Sequence, residues 1–334
     1  MAMFNANLLM KELRKASGMT QNQVAEGICS RGTIASLEAG HRKPDWFTFK
    51  NVMLKLGVDP TLYYNDIVSA DEAYIMNTHT KCTNLIRTQD LPQLKNELEK
   101  IEQDPRFSEG LGRRVYLGIM GTYYVLSYVQ AVYYSPDKNE AAGAQFLPPA
   151  LEHTMELLAS YRADFEIDNI PNYFLSNAEQ IALDRLANIY LFLGQAEKSV
   201  EIGTMLLENL EKNYKVDLID DLRYFHLLIM GNIANTLMEK LHKYNECLNL
   251  LDKGISKIKD RFGIYSYYRF SYMKARALIH LDRKEEGEEL FKKCIMFSHG
   301  AEQYLPGDMK VEFQKNIFSE TFGYTFDLTT SIPW

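Results

Sequence analysis

Thr20-Gln21-Asn22-Gln23-Val24-Ala25, Ser30-Arg31-Gly32-Thr33-Ile34 and Leu37-Glu38-Ala39-Gly40 follow one another closely and decide how this chain is read. Thr20 and Ser30 are hydroxyl residues placed where a helix N-cap needs a side-chain acceptor. Val24, Ala25 and Ile28 then share one face of a first short helix, and Ile34 and Leu37 share one face of a second. Gly40 suits the turn that ends the second helix. The segment therefore predicts two short helices joined by a tight turn. Arg31, Gly32, Thr33 and Ser36 face outward at the start of the second.

The same helical period extends on both sides. Leu8, Leu9 and Leu13 predict an earlier helix that stops at Ser17-Gly18. Pro44-Asp45 opens a fourth, carrying Phe47, Phe49, Val52, Leu54 and Leu56 and ending at Gly57. Asp59-Pro60 starts a short fifth that runs through Tyr63 and Ile67. These elements define a first domain over residues 1–68. Residues 69–334 form a second, predicted to be helix after helix, with spans 71–88, 91–103, 110–134, 145–163, 174–193, 196–213, 218–241, 244–260, 264–281, 284–300 and 306–322. Strand signals are nearly absent, so the fold class is all-α. The helix pairs recur. Asn188 in Leu-Ala-Asn-Ile-Tyr, Asn232 in Met-Gly-Asn-Ile-Ala and Met273 in Tyr-Met-Lys-Ala are separated by 44 and 41 residues. A period in this range, with small residues where helices meet, marks a tetratricopeptide-like α-solenoid with long, degenerate repeats. Such stacks present a groove suited to an extended peptide or another protein.

Composition limits the alternatives. Apolar residues make up 46% of the 334, ample for packed cores, and the net charge is −7. That charge is unevenly divided. Residues 1–66 hold eight Lys/Arg against six Asp/Glu, a balance of +2, which leaves −9 for the remainder. Contact with phosphates is therefore expected of the head, and the acidic body should avoid DNA. No apolar run is read as reaching the roughly 18–20 residues needed to span a membrane, and Lys11 to Lys15 interrupts any signal-peptide pattern. Cys29, Cys82, Cys247 and Cys294 lie far apart, as expected of reduced, buried thiols in a cytoplasmic protein. No metal spacing, phosphate loop or nucleophile–base pair is visible, so neither catalysis nor a cofactor is expected.

A helix-turn-helix places the N-terminal residues of its second helix at base edges in the major groove. On this reading Arg31 reaches guanine or a phosphate and Thr33 reaches a thymine methyl, with Ser30 and Ser36 beside them. Gln21 and Gln23 open the preceding helix, where amide side chains and helix-end N–H groups meet phosphate. Arg42 and Lys43 are read as phosphate contacts. Residues 8–57 resemble the Cro/phage-repressor class of helix-turn-helix domains through Leu13-Arg14, Thr20-Gln21, Val24-Ala25, Ile34, Glu38, Gly40 and Pro44. The resemblance implies a structural pairing of Arg14 with Glu38. Gly27 and Gly32 depart from the class pattern, and Gly32 leaves one base-facing position without a side chain.

A Cro-like head on a long tetratricopeptide-like body resembles the peptide-pheromone-responsive regulators of Gram-positive bacteria, of the PlcR and Rgg type. The resemblance implies a cytoplasmic homodimer on a double-stranded operator, switched by a short signalling peptide in quorum sensing. It also implies that Asn188 and Asn232 hydrogen-bond the peptide backbone, with Asn235 one turn on and Met273 at the third repeat position. An amide side chain supplies a donor and an acceptor at once, so one Asn can satisfy a whole peptide unit. Local bonding of these asparagines within the solenoid stays open as the alternative. Arg113, Tyr124, Arg185, Tyr224, Tyr268, Arg269, Tyr272 and Arg276 are further groove candidates on residue type. A second reading keeps the head and makes the body a dock for a protein partner. No membrane partner is expected. The tail from Tyr324 to Trp334 is β-prone.

Overall fold

A computed structural model describes residues 6–63, 69–135, 140–214, 220–258, 264–301 and 311–323, with the backbone alone at 220–221, 264–265, 297–301 and 311–314. Among the described residues there are helices and turns and no strand. The chain divides into two compact units, Met1–Gln195 and Ala196–Trp334.

The first unit begins with α1 (Ala6–Ala16), α2 (Gln21–Ala25), α3 (Arg31–Glu38) and α4 (Trp46–Lys55). Their starts are fixed by side-chain caps. Thr20 accepts from Gln23 N, Ser30 from Thr33 N and Asp45 from Thr48 N. Each such cap stabilises its helix by about 1 kcal/mol. Gly18, Gly40 and Gly57 all take positive φ at the helix ends, as the sequence implied. Met10, Val24, Ala25, Ile34, Leu37, Trp46, Phe49, Val52 and Met53 make one core. Leu8 and Leu54 differ from expectation: both face outward, because the inward stripe of α1 runs through Leu9, Met10 and Leu13 and that of α4 through Phe49, Val52 and Met53. A 3-10 turn, Pro60–Tyr63, follows; Ile67 lies outside the described residues.

The rest of this unit contains α5 (Ala70–Arg87), α6 (Leu91–Glu102), α7 (Gly110–Val129), α8 (Glu140–Ala144), α9 (Leu147–Tyr161) and α10 (Asn177–Phe192). Helix α7 is the hub, packing against α5, α6, α9 and α10. It continues through a π-turn to Tyr134, and the whole run Gly110–Tyr134 is long and apolar enough to cross a membrane by length and composition. The sequence reading found no apolar run of the length a membrane span needs, and this helix is the exception to it. Its apolar character follows from its position, since Leu111, Val115, Leu117 and Ile119 are buried against neighbouring helices. Helix α10 begins at 177 rather than 174 because Ser176 and Glu179 form a reciprocal capping box there.

The second unit contains α11 (Ala196–Asn213), α12 (Asp220–Glu239), α13 (Tyr244–Lys257), α14 (Ile264–His280), α15 (Lys284–Ala301) and α16 (Val311–Phe322). Each helix packs on the next in sequence, the arrangement of a repeat stack. Close approach sets the spacing. A Cβ on Gly254 of α13 would lie 2.1 Å from Cε2 of Phe270 on α14, a ring that is 1% exposed. The tail from Tyr324 lies outside the described residues.

Candidate nucleic-acid interface and peptide-contact residues

The turn between α2 and α3 positions the head's candidate DNA-contact side chains. Arg31 and Gly32 occupy the first turn of α3 and are exposed, with Thr33 and Ser36 half-buried on the same helix. Ser30 Oγ caps Thr33 N at 3.1 Å and meets Thr33 Oγ1 at 3.0 Å, so both hydroxyls are shared with the helix end. Gln23 is exposed but engaged: its Oε1 accepts from Thr20 N at 2.8 Å, completing a capping box. Gln21 donates to Glu38 Oε2 at 2.9 Å. Arg42 and Lys43 are exposed in the loop after α3. Asn7, which carries no periodic signal in the sequence, fixes that loop by donating to Leu37 O and Arg42 O.

Behind this face sits the Arg14–Glu38 pair. Arg14 Nε lies 2.5 Å from Glu38 Oε1 and Nη2 lies 2.8 Å from Oε2, while Nη1 donates to Met19 O at 2.9 Å. Burial pushes the Glu38 carboxyl up, but the donors Arg14 and Gln21 and the nearby charge of Arg14 outweigh it and hold the group below its ordinary value. The fork therefore remains ionised and ties α1 to the end of α3. Beside the start of α3 a cavity of about 310 Å³ is lined from the head by Cys29, Ser30, Thr33, Arg42, Asp45 and Thr48, and from α7 and α9 by Arg114 and Tyr161.

The proposed peptide contacts fall in both units. In the first, Arg113 donates to Glu156 Oε1 at 2.6 Å, and Tyr124 lies 5.5 Å from the His153 ring. Asn188 is half-buried and its Nδ2 donates to Asp184 O at 2.9 Å, a bond within its own helix. Arg185 is 6% exposed and donates through Nη1 to Gly118 O and Thr122 Oγ1. Its Nε and Nη2 are buried without a hydrogen-bond partner. Burial lowers it to about 10, partly opposed by Asp184. Gly121 makes room for this guanidinium, since a Cβ there would lie 2.8 Å from Arg185 Cζ.

In the second unit Asn232 is half-buried and its Oδ1 accepts from Arg269 Nη2 at 3.2 Å, which joins α12 to α14. Asn235 is half-buried one turn on, and Tyr224 is exposed on the same helix. Tyr272 meets Phe291 edge-on at 5.3 Å, and Arg276 pairs with Glu239 at 2.6 Å. Met273 and Tyr268 are buried in the core, at 4% and 1% exposure. The structure thus brings Asn232 and Arg269 together and gives Met273 and Tyr268 to packing. Among the described residues no group of His, Cys, Asp and Glu could hold a metal ion.

Residues 10–63 match the helix-turn-helix family model HTH_3. No curated protein matches the chain. Among solved structures, PlcR of Bacillus thuringiensis, in complex with the peptide PapR7 and DNA, is similar at TM-score 0.50 and 19% identity, over 90% of this chain and 96% of that one. A protein from Listeria monocytogenes EGD-e, assigned as a transcriptional regulator, matches at TM-score 0.49 and 13% identity over 96% and 99%. A Podosopora anserina protein of TPR-like repeats matches at TM-score 0.49 and 13% identity over 71% and 99%. The chain is an all-α protein in which a helix-turn-helix domain, matched over residues 10–63, precedes a tetratricopeptide-like solenoid.

Proposed function

We propose that this is a cytoplasmic transcription regulator that binds a two-fold operator as a homodimer and is switched by a short peptide held by its repeat body. The observation that carries the proposal is the union of the two parts: an exposed Arg31 and a half-buried Thr33 on a capped recognition helix, joined to a repeat body with half-buried amides at Asn188 and Asn232. PlcR, which has this fold, is bound to both a peptide and DNA in its solved structure. A two-fold dimer reads half-sites about one helical turn, roughly 34 Å, apart. Asn232 supports the peptide reading more strongly than Asn188. Its amide bridges two helices through Arg269, so a ligand that displaces Arg269 would alter the α12–α14 contact. Nδ2 of Asn188 already donates within α10.

The test is a gel-shift titration of the full chain on DNA selected from a random pool, with and without a panel of synthetic short peptides. Arg31→Ala is expected to relax or abolish selective binding with dimerisation intact, at a cost of about 1–3 kcal/mol if Arg31 reads a base. Asn232→Ala is expected to weaken the peptide response and leave peptide-free DNA binding unchanged. DNA binding that ignores every peptide would remove the switch and favour a protein partner for the repeat body.

A further inference from the structure

The turn that connects α2 to α3 does not stand free. Its two successive carbonyls, Glu26 O and Gly27 O, each accept from a cation. Lys55 Nζ of α4 donates to Glu26 O at 2.7 Å. Arg162, at the end of α9 and 135 residues away in sequence, donates to Gly27 O at 2.6 Å. The guanidinium of Arg162 is itself held firmly. Glu179 Oε1 lies 2.5 Å from its Nη2 and 3.1 Å from its Nε, and the Tyr173 ring lies 4.2 Å from its centre. The two charged side chains are only 11% and 2% exposed.

Steric fit reinforces the bond. Gly27 has φ +75°, and a Cβ on it would lie 2.0 Å from Phe174 N and 2.6 Å from Phe174 Cα, both backbone atoms that cannot swing aside. Lys55 Nζ stands 5.1 Å from the centre of the Phe174 ring, and Phe47 meets Tyr161 edge-on at 6.5 Å. The stretch from Arg162 to Glu179 therefore grips the helix-turn-helix at its turn. Recognition helix α3 begins four residues after Gly27. A grip on this turn sets the direction in which α3 leaves it.

We propose that Arg162 is a positioning residue for DNA recognition: together with Glu179 and Phe174 it locks the turn of the head to the α9–α10 corner, and so fixes the separation of operator half-sites that a dimer accepts. Arg162 touches no base or phosphate on this account. It acts through the Gly27 carbonyl. The inference rests on the reading of the head as one half of a dimeric operator reader. Buried, forked and paired, the arginine has the geometry of a fixed strut rather than of a surface ion pair, whose contribution would be small.

The experiment uses the full chain and duplexes recovered with it from a random DNA pool. The spacer between half-sites is then lengthened or shortened by one to four base pairs, and single half-site duplexes serve as controls. Two variants are compared: Arg162→Ala, and the double variant Arg162→Met/Glu179→Gln. The second removes both charges and keeps an acceptor for the Ser176 cap, so it folds even if a lone Glu179 does not tolerate burial. Both variants are expected to bind a single half-site as the parent does. They should lose the parent's preference for one spacer, with discrimination between best and off-length duplexes falling about tenfold. Amide exchange at Gly27 to Cys29 should speed up in the same variants without DNA. A spacer profile and exchange rates equal to the parent's would overturn the proposal. If the parent selects no sequence while the variants still speed exchange at the turn, the operator reading fails and takes the positioning role with it.

Discussion

Arg14→Ala should destabilise the head strongly. Arg14 makes two bonds to Glu38 and one to Met19 O, and the side chains are 14% and 4% exposed. Removing one member of such a pair costs about 3–5 kcal/mol, because the other charge stays buried. Glu38 keeps one donor, Gln21, which places the loss near the low end, about 3 kcal/mol. For a domain of this size, urea slopes are about 1–1.5 kcal/mol per molar, so the midpoint should fall by about 2–3 M. Trp46, packed on Phe49 in the head core at 6.2 Å between ring centres, is a built-in reporter. The chain has one other tryptophan, Trp334, and replacing it with Phe makes emission report the head alone. Arg14→Met/Glu38→Leu should recover at least half of the loss, since an apolar pair removes the stranded charge. The sign of the pH dependence is fixed as well. Glu38 is held below its ordinary value, so its contribution is complete above the unfolded carboxylate value, about 4.3, and disappears as pH falls through the lower folded value. The gap between parent and Arg14→Ala should therefore close in strong acid. A midpoint shift under about 0.5 M at pH 7, or a double variant no better than the single ones, would refute the argument.

Gly254→Ala should destabilise the second unit by about 1–2 kcal/mol, the overpacking against Phe270 exceeding the gain in helix preference, and a thermal melt of that unit's tertiary signal unchanged from the parent would count against it. All four thiols should be nearly inert to an aromatic disulfide reagent at pH 7.5. Burial raises Cys29 and Cys82 to about 11 and Cys247 and Cys294 to about 12, which leaves a thiolate fraction below about one in a thousand. Rapid labelling of any of the four without denaturant would show that its burial is wrong.

The parts of this protein that were legible in sequence are the ones governed by local rules. Thr20, Ser30 and Asp45 announced their helices because a cap needs an acceptor at one position only, and Gly18, Gly40 and Gly57 ended theirs because positive φ suits glycine. The Arg14–Glu38 pair, implied by the class resemblance, is present. What escaped depends on contacts between distant segments. Nothing near Arg162 indicates that it reaches Gly27, and nothing near Arg185 indicates that it lies buried against Gly118 and Thr122. The outward turn of Leu8 escaped because three leucines in α1 compete for one stripe, and Met10 fills it. Gln21 and Gln23 were legible as helix-opening amides, but not as partners of Glu38 and the Thr20 cap.

Gly32 gives the recognition helix an evolutionary property. It is exposed in the first turn of α3, and a Cβ there would meet only Ser30 Oγ, at an ordinary 3.7 Å. A side chain at this position disturbs no core atom and improves helix preference by up to about 1 kcal/mol. Single-nucleotide changes in a glycine codon reach alanine, serine, arginine and aspartate, each with different chemistry toward a base edge. Position 32 is therefore an open slot on the exposed start of α3, the face proposed to read DNA. On the proposed DNA-reading role, a lineage of this protein can acquire new targets there in one mutational step without endangering the fold.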